Sequence, residues 1–199
     1  MLLEFWTALT GNSATSKVKG DAATGAIYVE QLATSNRGLP VNLFLTAAGN
    51  GTGTNNLNGS YATPTDFYYQ VTTGSFYVYS LLIVIADATS FNLLDYGAIA
   101  SGLTNGVKFF LTPSGQSEIQ ILAGVTIKTN ADILTVIHDV VLTSFAGTSQ
   151  AIAAESDLKK VFGIPLFLNT GDRITVRLND DFTGLIKHTF ALGGERFST

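Results

Sequence analysis

Cysteine is absent from the chain, which excludes disulfide staples, thiolate metal sites and a cysteine nucleophile and leaves the redox compartment open. Charge is scarce as well: 13% of the 199 residues are Asp, Glu, Lys or Arg, about half the roughly 25% of an ordinary globular protein. A neutral, polar surface costs little to desolvate and suits a chain that lies against neighbours, although an ordinary secreted or surface β protein fits the same composition. The net charge of -4 and the scattered Lys and Arg form no basic stripe, so nucleic acid is not an expected partner. Long apolar runs are missing too. The longest, FYVYSLLIVIA from Phe76 to Ala86, is about half of what a helix needs to cross a bilayer; it reads as a buried strand, and no membrane partner is expected. The opening MLLEFWTALT has no cationic region and carries Glu4, so no secretory signal is expected.

The motifs of common enzymes are lacking. Only His138 and His188 are present, far apart and in no metal or nucleophile motif; His138-Asp139 on an apolar strand reads as a hydrogen-bonded structural histidine. No GxSxG elbow occurs, and the Gly-rich segment 49–60 lacks the Gly-Lys-Ser/Thr ending of a phosphate-binding loop. Asp172, Asn179, Asp180 and Asp181 offer oxygen ligands of the kind calcium takes, but they follow no EF-hand spacing, and adjacent Asp residues after a strand more often cap the next turn, here Phe182 to Leu185. Asp87 and Asp95 could pair as acid and base, yet at unconstrained spacing they read as turn residues. The sequons at Asn50 and Asn58 matter only on a eukaryotic secretory route. The expectation is no catalytic residue, no metal and no cofactor.

What is there is β signal. Residues 1–65 are poor in charge and rich in Ala, Thr, Gly and Asn; they read as an extended N-terminal arm with short strands at Ala26–Leu32 and Val41–Thr46 and a Gly/Asn-rich loop at 49–60. From 66 to 199 the reading is one antiparallel β-sandwich of about eight strands. Strands are expected at 67–72, 76–86, 106–112, 118–122, 125–128, 136–143, 151–156, 165–169, 173–179 and 187–192, separated by Gly, Asn, Asp and Pro turns. A capped helical turn is expected at Asn130, with a helix to Phe145 as the competing reading, and another turn of helix at 156–162. In R-I-T-V-R-L, 173–178, strict alternation turns Ile174, Val176 and Leu178 inward and Arg173, Thr175 and Arg177 toward water or a partner. The partner-binding residues expected are therefore Arg173, Thr175 and Arg177 on the sandwich and Phe5, Trp6, Val41, Leu43 and Phe44 in the arm, which would strap across neighbouring subunits by strand addition.

The segments YYQVTTGSFYVYSLLIVIADA at 68–88, LTNGV at 103–107, IKTNADIL at 127–134 and GDRITVRLNDDFTGLIKHTFALGGE at 171–195 resemble a group of small virion proteins of tailed bacteriophages. That group shares this order: a tyrosine-rich strand, a long apolar strand ending in acidic turn residues, an LTNG turn, an Asn-Ala-Asp turn and a closing L-N-D-D-x-x-G-L-x-x-H element. The resemblance covers about 66–195, and 158–164 departs from it in lacking an aromatic strand. It implies a jelly-roll-like sandwich that decorates or cements a capsid, or a head or tail accessory protein, at the particle exterior or head/tail junction. Its partners would be the major capsid protein or other virion proteins and further copies of itself, for instance as a trimer; no catalytic residue is transferred. The competing class is a carbohydrate- or receptor-binding module of a head fibre or tail, which would need exposed aromatic platforms from among Tyr68, Tyr69, Tyr77 and Tyr79.

Overall fold

A computed structural model describes residues 4–8, 15–20, 27–31, 38–53, 55–87, 92–136, 139–145, 149–163 and 166–197. The chain divides into two compact units, Met1–Arg37 and Gly38–Thr199. In the first, β1 (Glu4–Ala8), β2 (Thr15–Gly20) and β3 (Ile27–Gln31) form an antiparallel meander with Phe5 opposite Val18 and Trp6 opposite Lys17. Only the third of these strands is expected from sequence.

The second unit is an antiparallel β-sandwich. The larger sheet runs β4 (Leu39–Phe44), β13 (Lys187–Phe197), β6 (Ser75–Asp87), β10 (Ser149–Asp157), β9 (Asp139–Phe145), and β11 (Leu166–Asn169) pairs with the start of β6. The smaller sheet runs β5 (Thr65–Gln70), β12 (Arg173–Leu178), β7 (Lys108–Thr112), β8 (Ile119–Gln120). Phe76, Val78, Leu81, Ile83 and Ile85 of β6 and Ile174, Val176 and Leu178 of β12 are buried in one continuous core. Edge-to-face rings join the sheets, Tyr69 to Phe76 at 5.7 Å and Phe109 to Phe190 at 5.6 Å between centroids. Each such side chain contributes about 1.5–3 kcal/mol by leaving water.

The long strand β6 changes phase midway. Phe76 and Val78 point inward at even positions, and Leu81, Ile83 and Ile85 at odd ones. Opposite, Gly193 pairs with Ser80 and Gly194 with Val78, so Tyr79 is an extra residue in a β-bulge. Both Tyr79 and Ser80 then stand on the outer face, where a regular pleat would have buried one of them.

Residues 38–65, expected in the arm, belong to the sandwich. β4 is an edge strand beside β13, and Leu45 and Leu57 lie in the core. The Gly/Asn loop is held by its asparagines, which satisfy the backbone of β13 and the turn before it. Asn56 Nδ2 donates to Ile186 O at 3.1 Å while Asn56 Oδ1 accepts from His188 N at 2.9 Å, and Asn58 Nδ2 donates to Leu185 O at 2.9 Å. Side-chain amides thus do here what a strand backbone does elsewhere.

The helical expectations divide. α1 (Asn130–Val136) is a short helix whose capping box pairs Thr129 Oγ1 with Asp132 N at 3.2 Å and Asp132 Oδ2 with Thr129 N at 2.9 Å. The chain then turns to strand β9 rather than continuing to Phe145 as helix, because Val140, Val141 and Thr143 are β-branched. α2 (Leu158–Phe162) is capped by Asp157, which accepts from Lys159 N and Lys160 N, and stops at Gly163 in the left-handed region with φ 77°. The strand expected at 118–122 shrinks to β8, and that at 125–128 to a single bridge between Ile127 and Val107. Among the described residues, no helix is long and apolar enough to cross a membrane.

Candidate interaction surface

The residues that could carry chemistry are spent on holding turns. Asp180 accepts from three successive backbone amides of the LTNG turn: Thr104 N at 3.0 Å and Asn105 N at 3.1 Å to Oδ1, and Gly106 N at 2.8 Å to Oδ2. This is the concave amide nest that binds anions, filled by the protein's own carboxylate. Asp172 accepts from Ser114 N at 2.7 Å and Asn169 N at 2.8 Å. Asp181 accepts from Thr183 N at 3.0 Å, and that bond and one from the Thr183 hydroxyl hold its carboxyl below the usual range. Carboxylates engaged by N–H donors are poor calcium ligands, and among the described residues no three His, Cys, Asp or Glu side chains are grouped to hold a metal. Asp95 Oδ1 accepts from Ser101 N at 3.0 Å, as a turn residue does.

His188 is fully buried. Its Nδ1 lies 3.2 Å from Leu57 O, its Nε2 lies 2.7 Å from the Tyr96 hydroxyl, and its ring stacks on Phe182 at 4.6 Å. A carbonyl can only accept, so Nδ1 carries the proton and Nε2 accepts from Tyr96. Burial pushes the imidazole down to about 3, against the opposing effect of the Leu57 carbonyl, and burial keeps the Tyr96 phenol protonated. Both groups are core polar pairs. His138 lies outside the described residues.

The predicted partner residues of β12 form the middle row of the smaller sheet's outer face. Arg173 lies opposite Gln70 and Thr112, Thr175 opposite Tyr68 and Phe110, and Arg177 opposite Asp66 and Lys108. The arginines differ. Arg177 is saturated: Nε reaches Asp66 Oδ1 at 2.6 Å, Nη1 reaches Glu118 Oε1 at 2.8 Å, and the guanidinium caps the Phe110 ring at 4.5 Å. Its charge is thus neutralised within the chain, and it is not a free contact for a partner. Arg173 rests over the Tyr68 ring at 5.2 Å, and its Nε is buried with no hydrogen-bond partner among the described residues. The hydroxyls of its cross-strand neighbour Thr112 and of Thr175 are in the same state. Thr175 therefore lies on the outward side of the strand as expected but is fully buried, between Tyr68 and Phe110 of the neighbouring strands.

On the larger sheet, Val41 and Leu43 of β4 are half-buried against the sandwich's own core, and Phe44 is half-buried opposite Ala191. They thus belong to an edge strand of the sandwich rather than to an arm. Phe5 and Trp6 lie on β1 in the first unit; the placement of their side chains is outside the described residues. The tyrosines separate by face. Tyr69 is in the core, Tyr68 is on the outer face of the smaller sheet, and Tyr77 and Tyr79 are on the outer face of the larger one. Alternation could locate Tyr68, but the outward turn of Tyr79 and the orphaned donors around Arg173 arise from a bulge and from side chains on separate strands. The sequence matches no family model, and no curated protein or solved structure matches it.

Proposed function

We propose that this chain is a non-enzymatic structural protein that docks on neighbouring subunits, as a capsid decoration, cement or minor capsid protein of a bacteriophage particle. The observation that carries the docking reading is Arg173 on the outer face of the smaller sheet: it is half-buried, no carboxylate of the described residues neutralises its charge, and its Nε, like Thr112 Oγ1 and Thr175 Oγ1 near it, has no hydrogen-bond partner among the described residues. Arg173 as a whole is only half-buried, so an acceptor from another subunit can engage the open edge of its guanidinium while Nε and the two hydroxyls stay closed off. The fit is to a neighbour that presents a carboxylate flanked by small polar groups, since a guanidinium backed by an aromatic ring takes carboxylates bidentately. The low charge of the chain keeps the cost of covering the surrounding face small. The virion assignment rests on the LTNG, Asn-Ala-Asp and L-N-D-D elements and their order.

The test is to look for the protein by mass spectrometry in purified particles made by the genome that encodes it, and to repeat the measurement with Arg173→Glu. The expected result is stoichiometric incorporation of the unaltered chain and loss of the variant, with Arg177→Gln lowering stability rather than blocking the docking face. Absence of the unaltered chain from particles sinks the virion reading. Normal incorporation of Arg173→Glu moves the docking face elsewhere.

A further inference from the structure

The β-bulge in β6 opens a depression on the outer face of the larger sheet, remote in topology from the row on β12. Its volume is about 300 Å³, and Val41 and Asn42 of β4, Tyr79 and Ser80 of β6 and Gly193 and Gly194 of β13 line it. This is at the lower end of the roughly 300–1,000 Å³ typical of small-ligand sites. Three features describe what it can take. No lining side chain is charged, so an ion is a poor fit. Tyr79 is 37% exposed and stands at the wall of the cleft. The Asn42 amide and the Ser80 hydroxyl, both able to donate and accept, make no side-chain hydrogen bond to a described residue.

The floor is kept open by the absence of side chains on β13. A Cβ on Gly193 would stand 2.6 Å from Ser80 Oγ and 3.5 Å from Asn42 Oδ1, between the two polar groups, and one on Gly194 would stand 2.0 Å from Tyr77 O. Glycine at 194 is needed for the strands to pair. Glycine at 193 leaves the space between the amide and the hydroxyl free. Beside the depression, on the same outer face, Tyr77 packs on Phe167 at 4.6 Å and on Phe197 at 5.2 Å, with Phe167 43% exposed.

We propose that this cleft is a binding site for a neutral saccharide. A pyranose has an apolar C–H face and a rim of hydroxyls that each donate and accept, and the cleft offers an exposed aromatic ring with an amide and a hydroxyl beside it. The aromatic cluster around Tyr77 gives a second platform for an adjoining sugar ring. The site is independent of the docking face, because no residue of one belongs to the other.

The test is a titration of the full-length, ¹⁵N-labelled chain with maltohexaose, cellohexaose and chitohexaose, and with a proline-rich peptide as control. At least one oligosaccharide is expected to shift the Gly193 and Gly194 backbone amides and the Asn42 side-chain amide saturably. Tyr79→Ala and Asn42→Ala are each expected to weaken that binding about tenfold, the size expected for loss of an aromatic or hydrogen-bonding contact, while the melting temperature holds. Silence of these amides toward all three sugars overturns the proposal. So does a response to the peptide alone, or equal affinity in Tyr79→Ala. Loss of docking in Arg173→Glu with sugar binding intact, or the converse, separates this site from the docking face.

Discussion

At the scale of single residues, His188 has the largest consequence. Its ring is buried neutral between Tyr96 and Leu57, with the imidazole pushed down from 6.5 to about 3 by burial. The unfolded chain takes up a proton as the pH falls through 6.5, whereas the folded chain refuses it. The histidine's contribution is therefore complete at neutral pH and is lost progressively as the pH falls toward the folded value, at about 1.4 kcal/mol per pH unit. Urea unfolding followed between neutral pH and about pH 4 should show this slope, and His188→Gln should flatten it while lowering stability at neutral pH. An unchanged slope in the variant would assign acid sensitivity to the carboxylates instead. The two outward arginines show the same dependence on neighbours: Asp66 and Glu118 saturate Arg177, while Arg173 keeps a buried donor unspent.

At the scale of elements, turns are fastened by side chains from distant strands. The connection after β12 supplies Asp180, whose carboxylate gathers three amides of the 104–106 turn before β7. Asp180→Ala would leave these donors without a partner, and charged hydrogen bonds with their orphan penalty come to about 2–3 kcal/mol. Chemical denaturation should show a loss of that size, with Asp180→Asn in between because it keeps one acceptor oxygen. A change below about 0.5 kcal/mol, the scale of an ordinary surface substitution, would mean that water replaces the carboxylate without cost. The β6 bulge is the other decisive element. It lets one strand pair with β13 along its whole length while β11 and β10 share its other edge, and it turns Tyr79 outward between them.

For the whole molecule, the boundary at Gly38 makes a prediction that separates arm from sandwich. Deleting residues 2–37 should leave the β-sandwich folded, with an unchanged β signature by circular dichroism and a cooperative melt. Deleting residues 2–60 removes β4, Leu45, Leu57 and the asparagines that satisfy β13. Each buried leucine alone is worth about 2–5 kcal/mol, against a total stability of about 5–15 kcal/mol, so that product should be aggregated or unfolded. A folded 2–60 deletion would show that β4 is dispensable. The all-β sandwich, the inward face of β12, the helical turn at Asn130 and the turn of helix within 156–162 are legible in the chain by itself, because alternation, β-branching and capping act between neighbours a few residues apart. The phase change in β6 is written there too, but Tyr77, Leu82 and Val84 are apolar on the outward face and mask it. Residues 38–65 carry almost no charge and are rich in Ala, Thr, Gly and Asn, and so look like an arm. Only tertiary structure places Asn56 and Asn58 against the start of β13 and the turn before it, buries Thr175 between Tyr68 and Phe110, satisfies one arginine and leaves the other wanting. These outcomes depend on which strands become neighbours, and periodicity along one strand holds no information about its partners' side chains.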